Sequence, residues 1–374
     1  MSWHLITCEY PPDVGGISDH TAQVAAGLAA AGDEVHVYCP GVARPVPGAI
    51  HLHPVLGAFA SEDLRRADRL IDACKSPRRL MVQWVPHGFG RRSLNLGFCL
   101  WVARRARAGD RVDVVVHEPY LEFGWGPLRH MAMAVVHRLM TAVLLRAADR
   151  VWVSTPAWEP RLRPYALGRA IEMRWLPVPG CETTPGAASD TRPIEATLGR
   201  PLVGHFGTYG AAVATLLEER VAGVMEGASR PALLLLGAGG EAFATRLLGR
   251  HPQWRGRVHA TGYVSPDLLD AHLTACDLLM QPYPDGITVR RTSAMAALAR
   301  GRAVVTTAGH LTEPLWADQQ AVALVDVGDV VRFTAEVERL LGDLSARRTL
   351  EARARAAYGA HFSVDRLIHT LRAA

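Results

Sequence analysis

Paired cysteines are what this 374-residue sequence most clearly lacks. Its cysteines are scattered along the chain: Cys8, Cys39, Cys74, Cys99, Cys181 and Cys276. Since no two of them have a C-x-x-C spacing, the sequence indicates neither a zinc site nor a disulfide framework. Several lie in apolar stretches, where a free thiol packs as a small hydrophobic group. We therefore expect a reducing compartment and no bound metal.

Long apolar runs and targeting segments are missing as well. No stretch approaches the roughly 18 apolar residues that suggest a membrane-spanning helix. The sequence starts with an apolar strand pattern from Trp3 to Cys8. It does not show the positively charged region followed by an apolar region that is typical of a signal peptide. These absences predict a cytoplasmic protein.

Lysine is almost absent, because Lys75 is the only one, so the formal net charge of +5 comes almost entirely from arginine. A basic protein favours anionic partners such as nucleotide phosphates or an acidic membrane surface. Nucleic acid is not expected, since no basic-aromatic motif is present. One basic stretch could hold the protein peripherally at the inner face of a membrane, although a solvated helix face is the alternative. The stretch contains Arg65, Arg66, Arg69, Lys75, Arg78, Arg79, Arg91 and Arg92.

Length and element order predict two α/β domains. A chain of 374 residues exceeds one ordinary hydrophobic core. Residues 1–185 alternate apolar strands with amphipathic helices, which is the pattern of a parallel, doubly wound sheet. Residues 186–200 have the composition of a linker, and residues 201–355 contain a second strand-helix series. Residues 356–374 are predicted to form a helix that packs back toward the first domain.

Polar segments follow two apolar strands of the first half. Gly15-Gly16 lies in the turn after the first strand, where Ser18 or Asp19 can cap the next helix. His117-Glu118 directly follows a run of three valines. Ligands of open α/β sheets bind at the carboxyl ends of strands, and a histidine or carboxylate there can act on the proton of an attacking hydroxyl. An ordinary loop and a surface ion pair are the alternative.

Glycine-rich turns end the first two apolar strands of the second half. Gly207 and Thr208 follow one strand, and Gly237 opens a Gly-Ala-Gly-Gly turn after the next. That turn superficially resembles a dinucleotide fingerprint, but it opens a later element of its domain and no acidic residue ends the following strand. A hydride-transferring or epimerising enzyme is therefore the less favoured interpretation.

Two arginines stand at the entrance of a helix predicted from Thr292 to Arg300. The first turn of a helix is its positive end, where a cation costs about 0.3 kcal/mol or more. Arg290-Arg291 therefore suggests that a phosphate or diphosphate binds between the guanidinium groups and the backbone amides. The alternative is that both side chains point to solvent and only cover the helix start.

Taken in order, these segments resemble the glycosyltransferases of family 4, which have the GT-B fold of two Rossmann-like domains facing a central cleft. The resemblance covers essentially the whole chain. It rests on the Gly-Gly turn, on His117 and on a Gly-x-x-Gly after the linker. It also rests on Thr-Gly-Tyr-Val at 261–264 and on Pro-Asp-Gly to Ala-Met-Ala at 284–296, with Gly-Arg-Ala-Val-Val behind it.

The resemblance implies transfer of a sugar from a nucleoside-diphosphate sugar to a hydroxyl acceptor, with retention of anomeric configuration and without a metal or other cofactor. His117 would contact the transferred sugar or assist the nucleophile. Asp285 would hold sugar hydroxyls, and Ser293 would stand where the family has a glutamate on the ribose. The other implied donor-binding positions are Gly15, Gly16, Gly207, Thr208, Gly237, Tyr263, Val264, Gly286, Ile287 and Thr288.

The chain departs from the family at the usual Arg and Lys of the first loop in the second domain, which are replaced by Thr208 and by Val213-Ala214. Arg290 and Arg291, with the amides of 286–288, are therefore predicted to neutralise the diphosphate. The same departures favour a second interpretation, a catalytically inactive relative that binds a sugar nucleotide or a protein partner. The acceptor is expected to be a glycan, a lipid-linked molecule or a small molecule. The predicted acceptor-binding residues are Trp84, His87, Glu118 and Trp125.

Overall fold

The computed structural model describes residues 2–13, 15–41, 49–90, 93–124, 128–180, 198 and 201–374. The chain divides into two compact units, one of Met1–Pro177 with Val364–Ala374 and one of Val178–Ser363. The sequence-based division differs in two places. It put the boundary at residues 186–200, which lie outside the described residues except for Leu198, and it began the returning segment at residue 356 instead of 364.

The first unit is built on a parallel sheet. Its strands are β1 (Ser2–Ile6), β2 (Glu34–Tyr38), β3 (Ile50–His53), β4 (Arg78–Trp84), β5 (Arg111–Val116), β6 (Arg150–Val153) and β7 (Glu172–Trp175). They lie in the order β3-β2-β1-β4-β5-β6-β7. Its helices are α1 (Gly16–Ala30), α2 (Ser61–Asp72), α3 (Leu96–Arg107), α4 (Leu128–Ala147) and α5 (Trp158–Leu162). In such a doubly wound sheet the strand order reverses between β1 and β4, and ligands bind at that point.

Both faces of this sheet are covered, as the continuous apolar strands predict. One face packs under α2, α3 and α4 around residues such as Val82, Phe98 and Leu144. The other packs under α1 and the last helix of the chain around Leu5, with Leu367 from that helix. The last helix, Val364–Arg372, therefore completes the core of the first unit although it ends the chain.

A buried ion pair crosslinks the middle of the sheet. Arg79 on β4 and Asp113 on β5 are 2% and 0% exposed, and Arg79 Nε donates to Asp113 Oδ2 at 2.8 Å. The same carboxylate accepts from Trp152 Nε1 at 3.3 Å on β6. The guanidinium also donates to Leu371 O at 3.1 Å and lies over the Trp3 ring. One carboxylate thus joins three strands, and its arginine joins them to the last helix.

The second unit repeats the design. Its strands are β8 (Leu202–Phe206), β9 (Ala232–Leu236), β10 (Val258–Gly262), β11 (Leu278–Gln281), β12 (Val304–Ala308) and β13 (Ala323–Asp326), in the order β10-β9-β8-β11-β12-β13. Its helices are α6 (Ala211–Glu226), α7 (Gly240–Arg250), α8 (Pro266–Ala275), α9 (Thr292–Ala299), α10 (Leu315–Gln319), α11 (Val330–Gly342) and α12 (Leu344–His361). The last helix of the chain, α13 (Val364–Arg372), belongs to the first unit. The order reverses between β8 and β11, which marks the corresponding ligand position.

Helix α4 is long and apolar but only half buried. Its inner face includes Met140 and Leu144, while Leu128 and Leu139 are 87% and 53% exposed. By length and composition alone α4 could cross a membrane, and 39% of its most apolar window is buried inside the unit. A single such helix is weak support for a membrane span, because core helices of the same length have the same composition.

Candidate functional site

The carboxyl end of β1 is joined to the first turn of α1 by a glutamate. Glu9 Oε1 accepts hydrogen bonds from the backbone amides of Ile17 at 3.1 Å and Ser18 at 3.0 Å. A carboxylate is favoured there because the first-turn amides and the helix dipole are positive. The predicted capping by Ser18 or Asp19 is therefore wrong. The Ser18 hydroxyl donates instead to Asp13 O at 2.7 Å.

Only one of the two adjacent glycines is needed for this contact. A Cβ atom on Gly15 would lie 2.3 Å from Glu9 Oε1, whereas a Cβ on Gly16 would meet nothing within 4 Å. A phosphate at this turn would be repelled by the Glu9 carboxylate. Hydroxyl groups of a sugar, in contrast, can donate hydrogen bonds to a carboxylate. The turn of Gly15 and Gly16 is therefore better suited to hydroxyls than to a phosphate.

His117, at the carboxyl end of β5, is held by a neighbouring strand. Its Nε2 atom lies 2.8 Å from the amide oxygen of Gln83 near the end of β4. Since that oxygen accepts, Nε2 carries the hydrogen and Nδ1 keeps its lone pair. The backbone oxygen of His117 accepts from Trp158 Nε1 at 2.9 Å. The ring therefore has a defined orientation and tautomer at the end of the sheet.

A second histidine packs against His117. The ring of His20, in the second turn of α1, meets that of His117 edge-on with centroids 5.0 Å apart. His20 is 2% exposed, and its ring nitrogens have no hydrogen-bond partner among the described residues. Burial lowers the pKa of His20 to about 4. The ring is therefore neutral near pH 7 and places no positive charge beside His117.

The predicted acceptor residues fall into different environments. His87 and Glu118 are open to solvent, with Nδ1 and Oε2 3.5 Å apart. Trp84 is 1% exposed, stacks on Phe89 with centroids 5.3 Å apart, and belongs to the hydrophobic core. The structure therefore corrects the acceptor role of Trp84 to a packing role. Trp125 lies outside the described residues.

In the second unit, two glycines bring the loops after β8 and β9 into contact. Gly237 has φ +102°, and a Cβ atom there would lie 2.3 Å from Gly207 O. Both the backbone conformation and the close approach therefore exclude a side chain. Gly207 N donates to Leu236 O at 3.1 Å. Thr208 follows, exposed to solvent, just before α6, whose first turn has no side-chain cap.

The buried ring of His205 lies beneath the Gly207 turn. Its Nδ1 atom donates to Met280 O at 2.8 Å, so Nε2 keeps the lone pair. Nε2 is buried without a hydrogen-bond partner among the described residues, and a Cβ on Gly207 would approach it to 3.2 Å. Burial lowers the pKa of His205 to about 4. A neutral hydrogen-bond acceptor, His205 Nε2, therefore lies directly beneath the turn at Gly207.

The segment between β11 and α9 is tied to its own unit through its backbone. Gly286 N donates to Tyr283 O at 3.0 Å, and Ile287 N donates to Thr307 O at 2.8 Å. These amides are occupied, so the prediction that Gly286 and Ile287 hold the diphosphate through their amides is wrong. The Thr288 side chain is fully buried. Two of the three predicted amide donors of this segment are therefore used for hydrogen bonds within the unit.

The arginines precede α9 as predicted, and Tyr283 organises the groups around them. The Arg291 guanidinium lies over the Tyr283 ring at 4.6 Å, and its Nη2 atom is 3.6 Å from Asp285 Oδ2. The Tyr283 hydroxyl lies 2.8 Å from Ser293 Oγ. Burial raises the pKa of Tyr283 to about 12, so it stays a neutral hydroxyl. Arg290 is half-buried, whereas the Asp285 side chain is 42% exposed.

The residues predicted to line the nucleotide base lie at the end of β10. Tyr263 is 66% exposed and Val264 is half-buried. They follow Gly262, whose φ of +61° turns the chain out of the strand. An exposed aromatic ring at the carboxyl end of a strand can stack on a planar base.

The basic stretch does not form one continuous surface. Arg78 Nε donates to Asp110 Oδ1 at 2.7 Å, and Arg79 forms the buried ion pair with Asp113 in the core. Neither guanidinium can contact a membrane, which corrects that part of the prediction. Arg91-Arg92 lies outside the described residues.

Sequence reasoning missed five side chains that organise these strand ends: Glu9, Gln83, His20, Tyr283 and Glu313. Two of them could have been noticed from the local sequence pattern. Gln83 is a polar residue inside an apolar strand, and His20 lies on the buried side of α1. Glu313 accepts from Val289 N at 3.2 Å and from Trp316 Nε1 at 2.9 Å. No feature of the sequence around Glu313 indicates this role. Among the described residues, the His, Cys and acidic groups close enough to share a metal lie elsewhere, on the first three strands and at Cys74 just after α2.

Two family sequence models match the chain. Residues 14–171 match Glycosyltransferase Family 4, and residues 200–343 match Glycosyl transferases group 1. No curated protein sequence matches significantly.

Solved structures match over nearly the full length at low identity. Sucrose-phosphate synthase from Thermosynechococcus elongatus has 18% identity and a TM-score of 0.73, covering 100% of this chain and 97% of that chain. HepE from Anabaena in complex with UDP has 16% identity and a TM-score of 0.68, covering 100% and 99%. WaaG, described as a glycosyltransferase involved in lipopolysaccharide biosynthesis, has 18% identity and a TM-score of 0.61, covering 99% and 98%. At these identities the likeness is one of fold.

Proposed function

This chain belongs to the group 1, family 4-like glycosyltransferases of the GT-B fold, and from that premise we propose how it reacts. It transfers a sugar from a nucleoside-diphosphate sugar to a hydroxyl acceptor, with retention of anomeric configuration and without a metal ion taking part in the reaction. The observation that carries the proposal is the cluster of Arg291, Asp285 and Ser293 around Tyr283 at the start of α9.

The donor binds at the carboxyl ends of the second sheet. Gly207 and Thr208 lead into the uncapped first turn of α6, whose amides and dipole suit a phosphate. Tyr263 and Val264 line the base. Structures of HepE from Anabaena contain UDP and UDP-glucose, which supports a nucleoside-diphosphate sugar as donor. UDP is therefore the first nucleotide to test.

Arg290 and Arg291 neutralise the leaving diphosphate. Negative charge develops there as the bond to the sugar breaks, and preorganised cations that meet this charge lower the barrier. Arg291 is oriented in advance, because Tyr283 supports its flat face and Asp285 lies 3.6 Å from Nη2. When the Arg291 guanidinium binds the diphosphate, the carboxylate of Asp285 can accept hydrogen bonds from the sugar hydroxyls. The amides of Gly286 and Ile287 have no part in this revised proposal.

The reaction exchanges one bond at the anomeric carbon for another on the same face. The bond from that carbon to the diphosphate oxygen breaks, and a bond to the acceptor oxygen forms. The acceptor proton goes to the departing diphosphate, so no enzyme nucleophile is needed. His117 contacts a substrate hydroxyl at the end of β5, and Gln83 fixes the orientation of its ring through Nε2.

The acceptor is a glycan, a lipid-linked molecule or a small molecule that offers a hydroxyl group. Glu118 and His87 are exposed and close enough to share one acceptor. Carboxylates accept hydrogen bonds from hydroxyls, which suits Glu118 and also Glu9, which belongs to the same unit. Trp84 has no direct part.

The test compares arginine variants in a sugar-nucleotide turnover assay. We expect Arg291→Ala to lower turnover by about 100-fold, which is the cost of removing one transition-state donor. Arg290→Ala should lower it as well, and the double variant further. Arg348→Ala is the matched control, because Arg348 is exposed in the same unit. Slow hydrolysis of several sugar nucleotides serves as the assay until an acceptor is known.

Two outcomes would overturn parts of this proposal. Wild-type turnover in both single variants would remove the arginines from the mechanism. Nucleotide-sugar binding by the wild-type chain, detected as a raised melting temperature, without hydrolysis or transfer would instead identify an inactive relative.

A further inference from the structure

The amino-terminal half of the first sheet carries a row of histidines across three adjacent strands. His4 on β1 is in register with His36 on β2, which is in register with His51 on β3. Residues paired this way in a parallel sheet present their side chains to the same face. The rings accordingly stack, with centroids 4.9 Å apart for His4 and His36 and 4.8 Å apart for His36 and His51.

A thiol and a carboxylate meet the middle histidine. Cys74, just after α2, places Sγ 3.6 Å from His36 Nε2, and Glu34 places Oε1 3.3 Å from the same atom. Ligand atoms of His4, His36 and Cys74 lie within 4.8 Å of one another, and so do those of Glu34, His36 and His51. His36 Nε2 is therefore the common point of two potential ligand sets.

The other nitrogen of His36 is already engaged. His36 Nδ1 lies 3.0 Å from His53 Nε2. When Nδ1 donates this hydrogen bond, the lone pair on Nε2 faces the thiol and the carboxylate. Metal-binding histidines have this arrangement, with one nitrogen on the metal and the other hydrogen-bonded to a neighbour. In the opposite tautomer Nε2 donates to Glu34, and no cation is required.

We propose that this cluster is a zinc site in which His36 and Cys74 bind the ion and the exposed Glu34 supplies a further ligand. His4 completes the set by exchanging one of its two hydrogen bonds, from Nε2 to Ser2 Oγ at 2.9 Å or from Nδ1 to the Tyr38 hydroxyl at 3.2 Å, for the metal. A tetrahedral zinc places nitrogen about 3.5 Å from a sulfur ligand and about 3.4 Å from an oxygen ligand. The observed distances from His36 Nε2, 3.6 Å and 3.3 Å, match both. Nitrogen and sulfur ligands select zinc over magnesium or calcium.

Charge and proton balance are consistent with this ion. One thiolate and one carboxylate neutralise Zn²⁺, so no net charge is placed in a half-buried position. Binding forms a zinc–sulfur bond and releases the Cys74 proton to solvent, and no redox partner is needed. The site is independent of the transfer chemistry, because the residues lie away from the strand ends that carry His117. It joins β1, β2 and the end of α2, so zinc stabilises that side of the first unit.

The test uses protein without an affinity tag, freed of metal by a chelator and then titrated with Zn²⁺ or Co²⁺. We expect about one zinc per chain by elemental analysis. Co²⁺ should give the intense visible bands of a tetrahedral site and a sulfur-to-cobalt charge-transfer band. Cys74→Ser should lose the charge-transfer band, and Glu34→Gln should weaken zinc binding by about 10-fold or more. Glu34 is 58% exposed, so its variant remains folded.

Matched controls come from residues outside the cluster. Cys276→Ser changes a buried cysteine of the second unit, and His369→Ala changes an exposed histidine of α13. Both should keep wild-type zinc content and the full Co²⁺ spectrum. Absence of stoichiometric zinc binding, a Co²⁺ spectrum without a sulfur band, or equal metal loss in Cys276→Ser and Cys74→Ser would each overturn the proposal.

Discussion

Replacing His20 with leucine should remove one defined contribution to the acid sensitivity of the first unit. The ring is 2% exposed, and burial lowers its pKa to about 4. In the unfolded chain a histidine titrates at about 6.5. Between these values the unfolded state binds more protons than the folded state, so stability falls as the pH decreases from about 6.5 to about 4.

The size of the effect follows from the difference between the two pKa values. At about 1.4 kcal/mol per pKa unit, the free energy of unfolding loses about 3 kcal/mol over the whole window. About 2.5 kcal/mol of this is lost by about pH 4.5. Leucine cannot be protonated and leaves no hydrogen-bond partner behind, since the ring nitrogens of His20 have none among the described residues. At neutral pH the variant should differ by less than about 1.5 kcal/mol.

Hydrogen exchange measured by mass spectrometry reports the opening free energy of each unit separately. Between pH 7 and about pH 4.5, the opening free energy measured at the amides of β1 and β5 should fall by about 2.5 kcal/mol less in His20→Leu than in the wild type. His369→Leu, at an exposed site of α13, should behave like the wild type. An identical pH dependence in wild type and His20→Leu would refute the reasoning, because the ring would then be protonated or hydrated in the folded state.

Two further substitutions test the interior of each unit. Asp113→Ala leaves the Arg79 guanidinium buried without its carboxylate and should lower the unfolding free energy of the first unit by about 3 to 5 kcal/mol. Exchange of the β4 amides measures this, and the double replacement of Arg79 by methionine and Asp113 by leucine should recover most of the loss. Gly237→Ala places a Cβ 2.3 Å from Gly207 O at φ +102° and should destabilise the second unit by at least about 1 kcal/mol. Its control is Gly249→Ala in α7, where a Cβ would meet no atom within 4 Å and an alanine should stabilise the helix by up to about 1 kcal/mol. Equal melting temperatures for the two glycine variants would contradict the argument.

Most of the secondary structure follows from the local apolar pattern. The strands Glu34–Tyr38, Arg150–Val153, Leu202–Phe206 and Ala232–Leu236 coincide with short, mainly apolar runs, and these runs alone predict strands with the same bounds. Strands buried on both faces need continuous apolar residues, which makes them visible in the sequence. The strands Glu172–Trp175 and Ala323–Asp326 are not predicted. Both lie at sheet edges and are partly exposed. Two of the four residues of Glu172–Trp175 are charged, so its composition does not indicate a strand, whereas Ala323–Asp326 is a short apolar run that could equally belong to a helix.

The predicted family and the α/β GT-B fold class are confirmed, but the roles of single residues are less visible in the sequence. Trp84 shows why. An aromatic residue at the end of an apolar strand has the same local pattern whether it faces a ligand or the core. Here the neighbouring Phe89 and Phe98 enclose it. Gly286 and Ile287 show the same limit for backbone amides, because Thr307, the partner of the Ile287 amide, comes from a later strand.

The amino-acid sequence by itself determined the two strand-helix series, the glycine turns at their strand ends and the arginine pair before α9, because each depends on local spacing and composition. Only the tertiary structure decided which groups meet. Glu9 reaches the start of α1, His20 lies beside His117, and Arg291 lies over Tyr283. The histidine row of β1, β2 and β3 likewise forms only when parallel pairing sets His4, His36 and His51 side by side. Such contacts depend on register and packing between distant segments, which no local pattern specifies.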